Sequence, residues 1–279
     1  MSQPVDIGRF ELKYCLPVAL RPRVLELARD HVKPDKHGFD LGEGRLGYEV
    51  HSLYLDTPGL GDFSDRLDEH KVRDRLRVRT YGPPARGPFP VFLENKRKLE
   101  NWVIKHRVTL STDSERFCAT EGPEPWLPLV GGVEPKGRYA AEHFVRLTTA
   151  GRRVPVSVVH YAREVFVGVD PDRPQVRLTL DHGVTATTRG LTWSGLYLPP
   201  DVALVPEGWM VLELKFGGSK PGWMRHLCRE LGLRACPVSK FGLSVAMGVA
   251  GHRPREVRYV TPRPLRRAGF PSPAPEVRP

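Results

Sequence analysis

Alternation of apolar and charged positions is the dominant pattern of this chain. It predicts β-strands over Arg9–Tyr14, His51–Leu55, Arg73–Tyr81, Val91–Arg97, Val103–Leu110, Val156–Val169, Gln175–Asp181 and Met210–Phe216. Apolar residues at helical spacing instead occupy Pro17–Val32, Trp223–Leu231 and Phe241–Val249, and Ala140–Ala150 reads as a further helix. Between these, Thr120–Gly137 is broken up by Pro and paired Gly and is expected to be irregular. Many strands and few helices point to an α+β protein, mainly antiparallel β. The expected form is a closed eight-stranded tunnel barrel with flanking helices.

Side chains alternate between the two faces of a strand, so the chemistry of each face can be read separately. One face of the third strand is Arg73, Arg75, Arg77 and Arg79, and the other holds Leu76 and Val78. Glu94, Lys96 and Lys98 oppose Val91 and Leu93, and Lys105 with Arg107 opposes Ile104 and Val108. Arg177, Thr179 and Asp181 oppose Leu178 and Leu180, while Glu213 and Lys215 oppose Leu212, Leu214 and Phe216. The first strand repeats the pattern with Arg9, Glu11 and Lys13 against Phe10 and Leu12. One such strand is an ordinary half-wetted strand. Repeated rows of long cations are different, because like charges at i and i+2 repel unless an anion sits among them. Arginine in particular suits multidentate recognition of phosphate. In a closed sheet these faces would line the lumen.

Composition sharpens this picture at two points. The net charge of +11 is not uniform: residues 252–279 hold seven Arg and two Glu, a net +5, leaving about +6 for the rest. That Pro/Arg-rich tail is expected to be disordered, so the chain reads as one domain over 1–250 followed by a tail over 251–279. Cys15, Cys118, Cys228 and Cys236 form no C-x-x-C pair, which speaks against a disulfide framework or a zinc site and for reduced cytosolic thiols. No apolar run reaches the roughly 20 residues of a membrane span and no leader pattern opens the chain, so a cytoplasmic protein without membrane insertion is expected. His51, His70, His106, His143 and His160 show no metal-ligand spacing. The cations lie on strands and no nucleic-acid motif accompanies them, which argues against a nucleic-acid partner.

Several short motifs recur in one order: Arg9-Phe-Glu-Leu-Lys13-Tyr14, Ser52-Leu-Tyr54-Leu-Asp56-Thr57, Arg77-Val-Arg79-Thr-Tyr81-Gly82, Glu94-Asn-Lys96, Lys105-His-Arg107, Tyr161-Ala-Arg163, Arg177 through Asp181, Glu213-Leu-Lys215 and Ser239-Lys240-Phe241. In that order the chain resembles the VTC domain, the polyphosphate-polymerase branch of the triphosphate tunnel metalloenzymes, over about residues 7–245. The resemblance implies a tunnel that grips a triphosphate and moves the terminal phosphoryl group of ATP onto a growing polyphosphate chain. Carried over by motif, Lys13, Arg77, Arg79, Lys96, Arg163, Lys215, Ser239 and Lys240 would line the phosphate path. Glu213 would hold a divalent metal, Mn²⁺ or Mg²⁺, with Glu11 or Glu94 as a helper. Arg9, Arg75, Lys105, Arg107 and Arg177 join the binding set from their strand faces, and Tyr54 or Tyr161 is a candidate for contacting a phosphate or a base.

Two departures from the family pattern stand out. The first strand carries Arg9 where hydrolytic relatives show a Glu, which leans away from hydrolysis. Cys236-Pro237-Val238 occupies the place of a second lysine before Ser-Lys-Phe, so one phosphate contact is expected to be missing. Glu94 and Asp181 are read as ion-pair partners for neighbouring lumen cations. Polyphosphate synthesis is thus the leading expectation, with a triphosphatase of the same fold or a non-catalytic polyphosphate binder as alternatives. Oligomeric state is not legible.

Overall fold

A computed structural model describes residues 9–82, 89–100, 102–112, 122, 135–236 and 238–248. The strands are β1 (Arg9–Pro17), β2 (Val32–Pro34), β3 (Phe39–Asp40), β4 (Leu46–Asp56), β5 (Val72–Arg73), β6 (Leu76–Tyr81), β7 (Phe89–Leu99), β8 (Trp102–Thr112), β9 (Val154–Gly168), β10 (Arg177–Thr187), β11 (Val202–Ala203) and β12 (Trp209–Gly217). The helices are α1 (Arg21–Ala28), α2 (Gly61–Leu67), α3 (Pro135–Ala150), α4 (Gly222–Glu230) and α5 (Lys240–Gly248).

All the strands join one antiparallel sheet, and its principal order is β1-β12-β10-β9-β4-β6-β7-β8. β5 and β6 act as one strand, because Arg73↔Lys98 and Leu76↔Asn95 share a single register and Arg75 and Lys96 exchange both backbone hydrogen bonds between them. The eight long strands of the sequence reading are therefore present, and the short β2, β3 and β11 are added to them. The expected closure is not: among the described residues no ladder joins β1 to β8. The sheet curls instead as an open wrap, close enough that Lys96 on β7 and Glu11 on β1 act electrostatically on one another.

Curvature has visible local causes. The β9–β10 register shifts between His182 and Thr185, where Gly183 takes φ +56°, a bulge that bends the strand. At Gly47 a Cβ would lie 2.0 Å from the Arg163 carbonyl oxygen, so only glycine lets β4 cross β9 this closely.

Three apolar clusters order the molecule. Outside one half of the sheet, Leu178, Leu180, Leu212, Leu214 and Phe216 pack against Val24 of α1 and Met224 and Leu227 of α4. Outside the other half, Leu53, Leu55, Leu76, Val78, Leu93 and Leu110 receive Phe144 of α3 and Leu196. The third cluster lies inside the wrap, where Phe241, Leu243 and Val245 of α5 meet Val50, Tyr54, Val159, Tyr161 and Val211. Helix α5 therefore plugs the interior rather than flanking it.

Several expected boundaries change. Pro17–Val32 is not one helix: β1 runs through Pro17, a 3-10 turn covers Val18–Leu20, α1 ends at Ala28 and β2 begins at Val32. Apolar spacing there reflects three elements, a turn, a helix and a strand, packing on one core. α3 starts at Pro135, inside the stretch expected to be irregular. α2 was not anticipated. Its start is organised by Asp56, whose carboxylate accepts the backbone N–H groups of Asp62 and Phe63, and by Thr57 Oγ1, which accepts from Gly61. The tail over 251–279 and Cys118 lie outside the described residues. Among the described residues no helix is long and apolar enough to cross a membrane.

Candidate active site

Alternation places one charged set of side chains inside the wrap. The inward faces with α5 contribute eleven cations: Lys13, Arg75, Arg77, Arg79, Lys96, Lys105, Arg107, Arg163, Arg177, Lys215 and Lys240. Among the described residues four carboxylates lie on the same inward faces, Glu11, Glu94, Asp181 and Glu213, so these faces carry seven more cations than carboxylates (eleven less four). An interior so unbalanced is organised for an anion of several charges.

The first cluster is built around Asp181 and Glu213. Arg163 donates to Asp181 in a fork, Nε to Oδ1 at 2.5 Å and Nη2 to Oδ2 at 2.7 Å, and its Nη2 also lies 3.2 Å from Glu213. Lys240, at the start of α5, pairs with Asp181 and sits 3.1 Å from Glu213. Lys215 is 3.2 Å from Glu213, while Lys13 reaches Glu11 at 2.9 Å and Glu213 at 3.7 Å. Burial alone would raise the Glu213 carboxyl, but Arg163, Lys240, Lys13 and Lys215 overcome it and hold the group well below the usual range. Burial likewise works against Glu11, and Lys13 and Lys215 prevail, bringing it to about 2. Lys240 is driven the other way: burial opposes its charge, but Asp181 and Glu213 raise its pKa.

The second cluster centres on Glu94, buried on β7. It accepts from Arg77 Nε at 2.6 Å, and Lys105 and Arg107 lie at 2.6 and 3.4 Å. Desolvation opposes the Glu94 charge, yet Arg77, Arg79 and Lys105 hold the carboxyl far below its ordinary value. Arg77 also donates to the Tyr54 hydroxyl at 3.1 Å. Burial would raise that phenol, but Arg77, Arg79 and Arg75 outweigh it and lower it to about 8. Arg79 bridges the clusters, donating to Ser52 Oγ at 2.9 Å and Tyr161 Oη at 3.3 Å. Arg75 lies over the Phe241 ring at 5.5 Å. Among the described residues Arg75, Lys96 and Arg177 form no ion pair, so these cations are the ones least satisfied before a ligand arrives.

Nearly all of the sequence-predicted residues converge here. Arg9 pairs with Gly217 in the β1–β12 ladder, but its side chain is outside the described residues. Ser239 caps α5, its Oγ accepting the Gly242 N–H at 3.2 Å. At the place of the missing lysine, Val238 is buried and its carbonyl accepts from Lys13 Nζ at 3.1 Å. Glu94 and Asp181 are ion-pair partners as read. His51 and His160, which show no metal-ligand spacing in the sequence, stand on the outer face as a pair, Nδ1 to Nδ1 2.9 Å. Ser52 and Tyr161 as partners of Arg79 were also missed, because neither carries a charge that marks a face. Among the described residues no three metal-ligating side chains gather. Mg²⁺ or Mn²⁺ needs one or two carboxylates with phosphate and water oxygens, and Glu11 and Glu213 share Lys13 and Lys215 as partners, so an ion held between the two carboxylates would replace those ammonium groups.

One mouth of the interior opens into a cavity of about 520 Å³. Arg79, Arg107, Arg163, Arg177 and Lys215 line it together with Tyr48, Tyr81, Phe92, Phe39, Asp35 and His37. The site is thus the cationic inner face of a curled antiparallel sheet, plugged by one helix. The chain belongs to the VTC domain family, whose match covers residues 8–249. No curated protein matches it. Among solved structures it is similar to HpAC1 from Hippeastrum, described with a dominant triphosphatase activity, at 18% identity and TM-score 0.46 over 89% of this chain and 98% of that one. It is also similar to the PH1819 protein from Pyrococcus horikoshii, at 17% identity and TM-score 0.40 over 85% and 98% of the two chains.

Proposed function

We propose that this chain transfers the terminal phosphoryl group of ATP to the end of an inorganic polyphosphate chain held in its basic interior. The observation that carries the reading is the convergence of eleven cations, with four carboxylates, on the inward face of one curled open sheet, in a member of the VTC domain family. The terminal oxygen of the chain attacks the γ-phosphorus, the bond to the β-phosphate oxygen breaks, and ADP leaves. Such a step asks little covalent chemistry of a protein and much positioning and charge neutralisation. Arg77 and Arg79 present planar forks to non-bridging oxygens, and Lys13, Lys96, Lys215 and Lys240 supply point charges along the path. Arg75 and Arg177 extend it at either end, and Ser239 orients Lys240 by capping its helix.

Glu213 and Glu11 would hold Mn²⁺ or Mg²⁺, which when bound neutralises phosphate charge. Among the described residues no side chain of the interior is placed as a covalent nucleophile with a base beside it, which favours direct transfer between phosphates. The inward direction of the cations also suits a thin flexible polyanion better than a nucleic-acid duplex.

Incubation of the purified protein with ATP and Mn²⁺ tests the reading. Polymerase activity gives ADP and long chains resolved on a gel. Orthophosphate from tripolyphosphate without chains would identify a hydrolase, and tight polyphosphate binding with ATP left intact would identify a binder. Either of the latter results overturns the polymerase reading. Arg77→Ala with Arg79→Ala is expected to abolish phosphate binding, whereas Glu213→Gln retains binding and loses turnover.

A further inference from the structure

Two thiols that the sequence sets 221 positions apart meet beside β1. Cys15 Sγ and Cys236 Sγ stand 3.9 Å from one another, and each residue is 6% exposed among the apolar side chains inside the wrap. The backbone holds them there. Cys236 donates its N–H to the Lys13 carbonyl at 2.9 Å, and Lys13 Nζ donates to the Val238 carbonyl at 3.1 Å, so the chain leading into α5 lies along β1. Cys228 belongs to a different apolar cluster, on the outer side of the sheet, where its sulfur meets Tyr14 and Lys220.

The contact between the two buried thiols is close enough for covalent chemistry. A disulfide bonds its sulfurs at about 2.0 Å, so closure asks each sulfur to move by roughly 1 Å, and the hydrogen bond from Cys236 to Lys13 already keeps the two chain segments side by side. One thiol is also primed to react. Its contact with Cys15 outweighs burial and, with Lys13 adding to it, lowers the Cys236 thiol to about 7, which makes it the nucleophile of the pair. A site this buried admits a small hydroperoxide rather than a bulky disulfide reagent.

We propose that Cys15 and Cys236 form a thiol–disulfide site oxidised by a hydroperoxide, and that its closure clamps the segment bearing Lys240 onto β1. The Cys236 sulfur attacks one peroxide oxygen, the O–O bond breaks, and the other oxygen leaves as alcohol or water with the thiol proton, giving a sulfenic acid. The Cys15 sulfur then attacks the Cys236 sulfur, the S–O bond breaks, and hydroxide leaves as water with the Cys15 proton. Two thiols are oxidised and one hydroperoxide is reduced. Cys15 is two residues from Lys13 and Cys236 four from Lys240, and both lysines stand at Glu213, so the clamp acts on the supports of one carboxylate. This site stands whether or not the interior binds phosphate.

Full-length protein reduced with dithiothreitol, desalted and treated with hydrogen peroxide tests the site. Peptide mapping without reductant is expected to show a Cys15–Cys236 cross-link with the loss of two hydrogens, and dithiothreitol is expected to reverse it. The cross-link closes a loop of 221 positions, so the oxidised form is expected to melt about 5–10 °C above the reduced one. Cys15→Ala removes the resolving sulfur: peroxide is expected to leave its Tm unchanged, and Cys236 is expected to persist as a sulfenic acid trapped by dimedone. Should Cys15→Ala not fold, Cys15→Ser takes its place, and the wild-type peptide map decides without either. Peroxide that leaves the two thiols unmodified, a cross-link to Cys118 or Cys228 in their place, a cross-linked form no more stable than the reduced one, or a peroxide-dependent Tm rise that persists in Cys15→Ala overturns the proposal.

Discussion

Lys240 Nζ stands 3.1 Å from Glu213 Oε1, and this contact ties the helix that plugs the interior to the strand that carries its most heavily paired carboxylate. Asp181 completes the arrangement from the neighbouring strand β10. One lysine therefore holds two buried carboxylates and fixes where α5 begins.

Replacing that lysine without replacing its charge is costly. Lys240→Met leaves Asp181 and Glu213 buried with one compensating cation fewer, and removal of one partner from a buried ion pair costs on the order of 3–5 kcal/mol. Arg163, Lys13 and Lys215 remain, so a loss near the lower end, about 3 kcal/mol, is expected in urea denaturation at neutral pH. The penalty shrinks in acid as the carboxylates protonate. A denaturation midpoint equal to that of the wild type would show that the cluster does not depend on Lys240.

Glu94→Gln is expected to expose the cost of the cation excess. Without the carboxylate, Arg77, Lys105 and Arg107 repel one another in a partly dry space, and the free protein loses about 3 kcal/mol. Added tripolyphosphate supplies the missing negative charge, so it raises the Tm of the variant by more than it raises that of the wild type. Equal shifts in the two proteins would contradict a phosphate path at Glu94.

Acid sensitivity divides into two windows. Burial first and then His160 hold the His51 pKa down to about 4, against about 6.5 in an unfolded chain. The unfolded state takes up protons first, so stability declines as pH falls from about 6.5 toward 4. His51→Phe should make that slope shallower. The carboxylates behave differently: those of Glu11, Glu94 and Glu213 are depressed, so their stabilisation is complete above about pH 4.3 and disappears as pH falls through the folded values, about 2 for Glu11. Urea midpoints measured across this range check both windows, and a wild-type midpoint unchanged between about pH 7 and 4.5 would contradict the first.

Core and site should separate experimentally. Phe144 of α3 is 1% exposed and packs on the outer face of the sheet against Leu76, Val78 and Leu93. Phe144→Ala is expected to cost about 3–5 kcal/mol of stability. Tripolyphosphate affinity of the folded protein should stay within about twofold, because every charged side chain of the interior lies across the sheet. A tenfold loss of affinity would mean that the outer core sets the geometry of the lumen.

Strand content was legible because it is a local property. The row Arg75, Arg77 and Arg79 against Leu76 and Val78 identifies a strand and separates its two chemistries whatever surrounds it, and the structure places those faces as the alternation implied. The region after β1 was misread for the same reason in reverse. Leu20, Val24, Ala28 and Val32 all pack on one core, so their spacing looked like one helix although a turn, a helix and a strand share them. α2 carried a signal that was passed over, since Asp56 and Thr57 are residues that cap helix starts. The contact of Cys15 with Cys236 carried none, because its members lie 221 positions apart.

The amino-acid order alone determined that this chain makes antiparallel strands with one cationic and one apolar face, since period-two alternation needs only neighbouring residues. Which face is inside, which carboxylate neutralises which cation, and that α5 fills the interior instead of covering it were decided by the tertiary structure. Those outcomes depend on sheet register and curvature, and they join residues as distant as Lys13 and Val238, 225 positions apart.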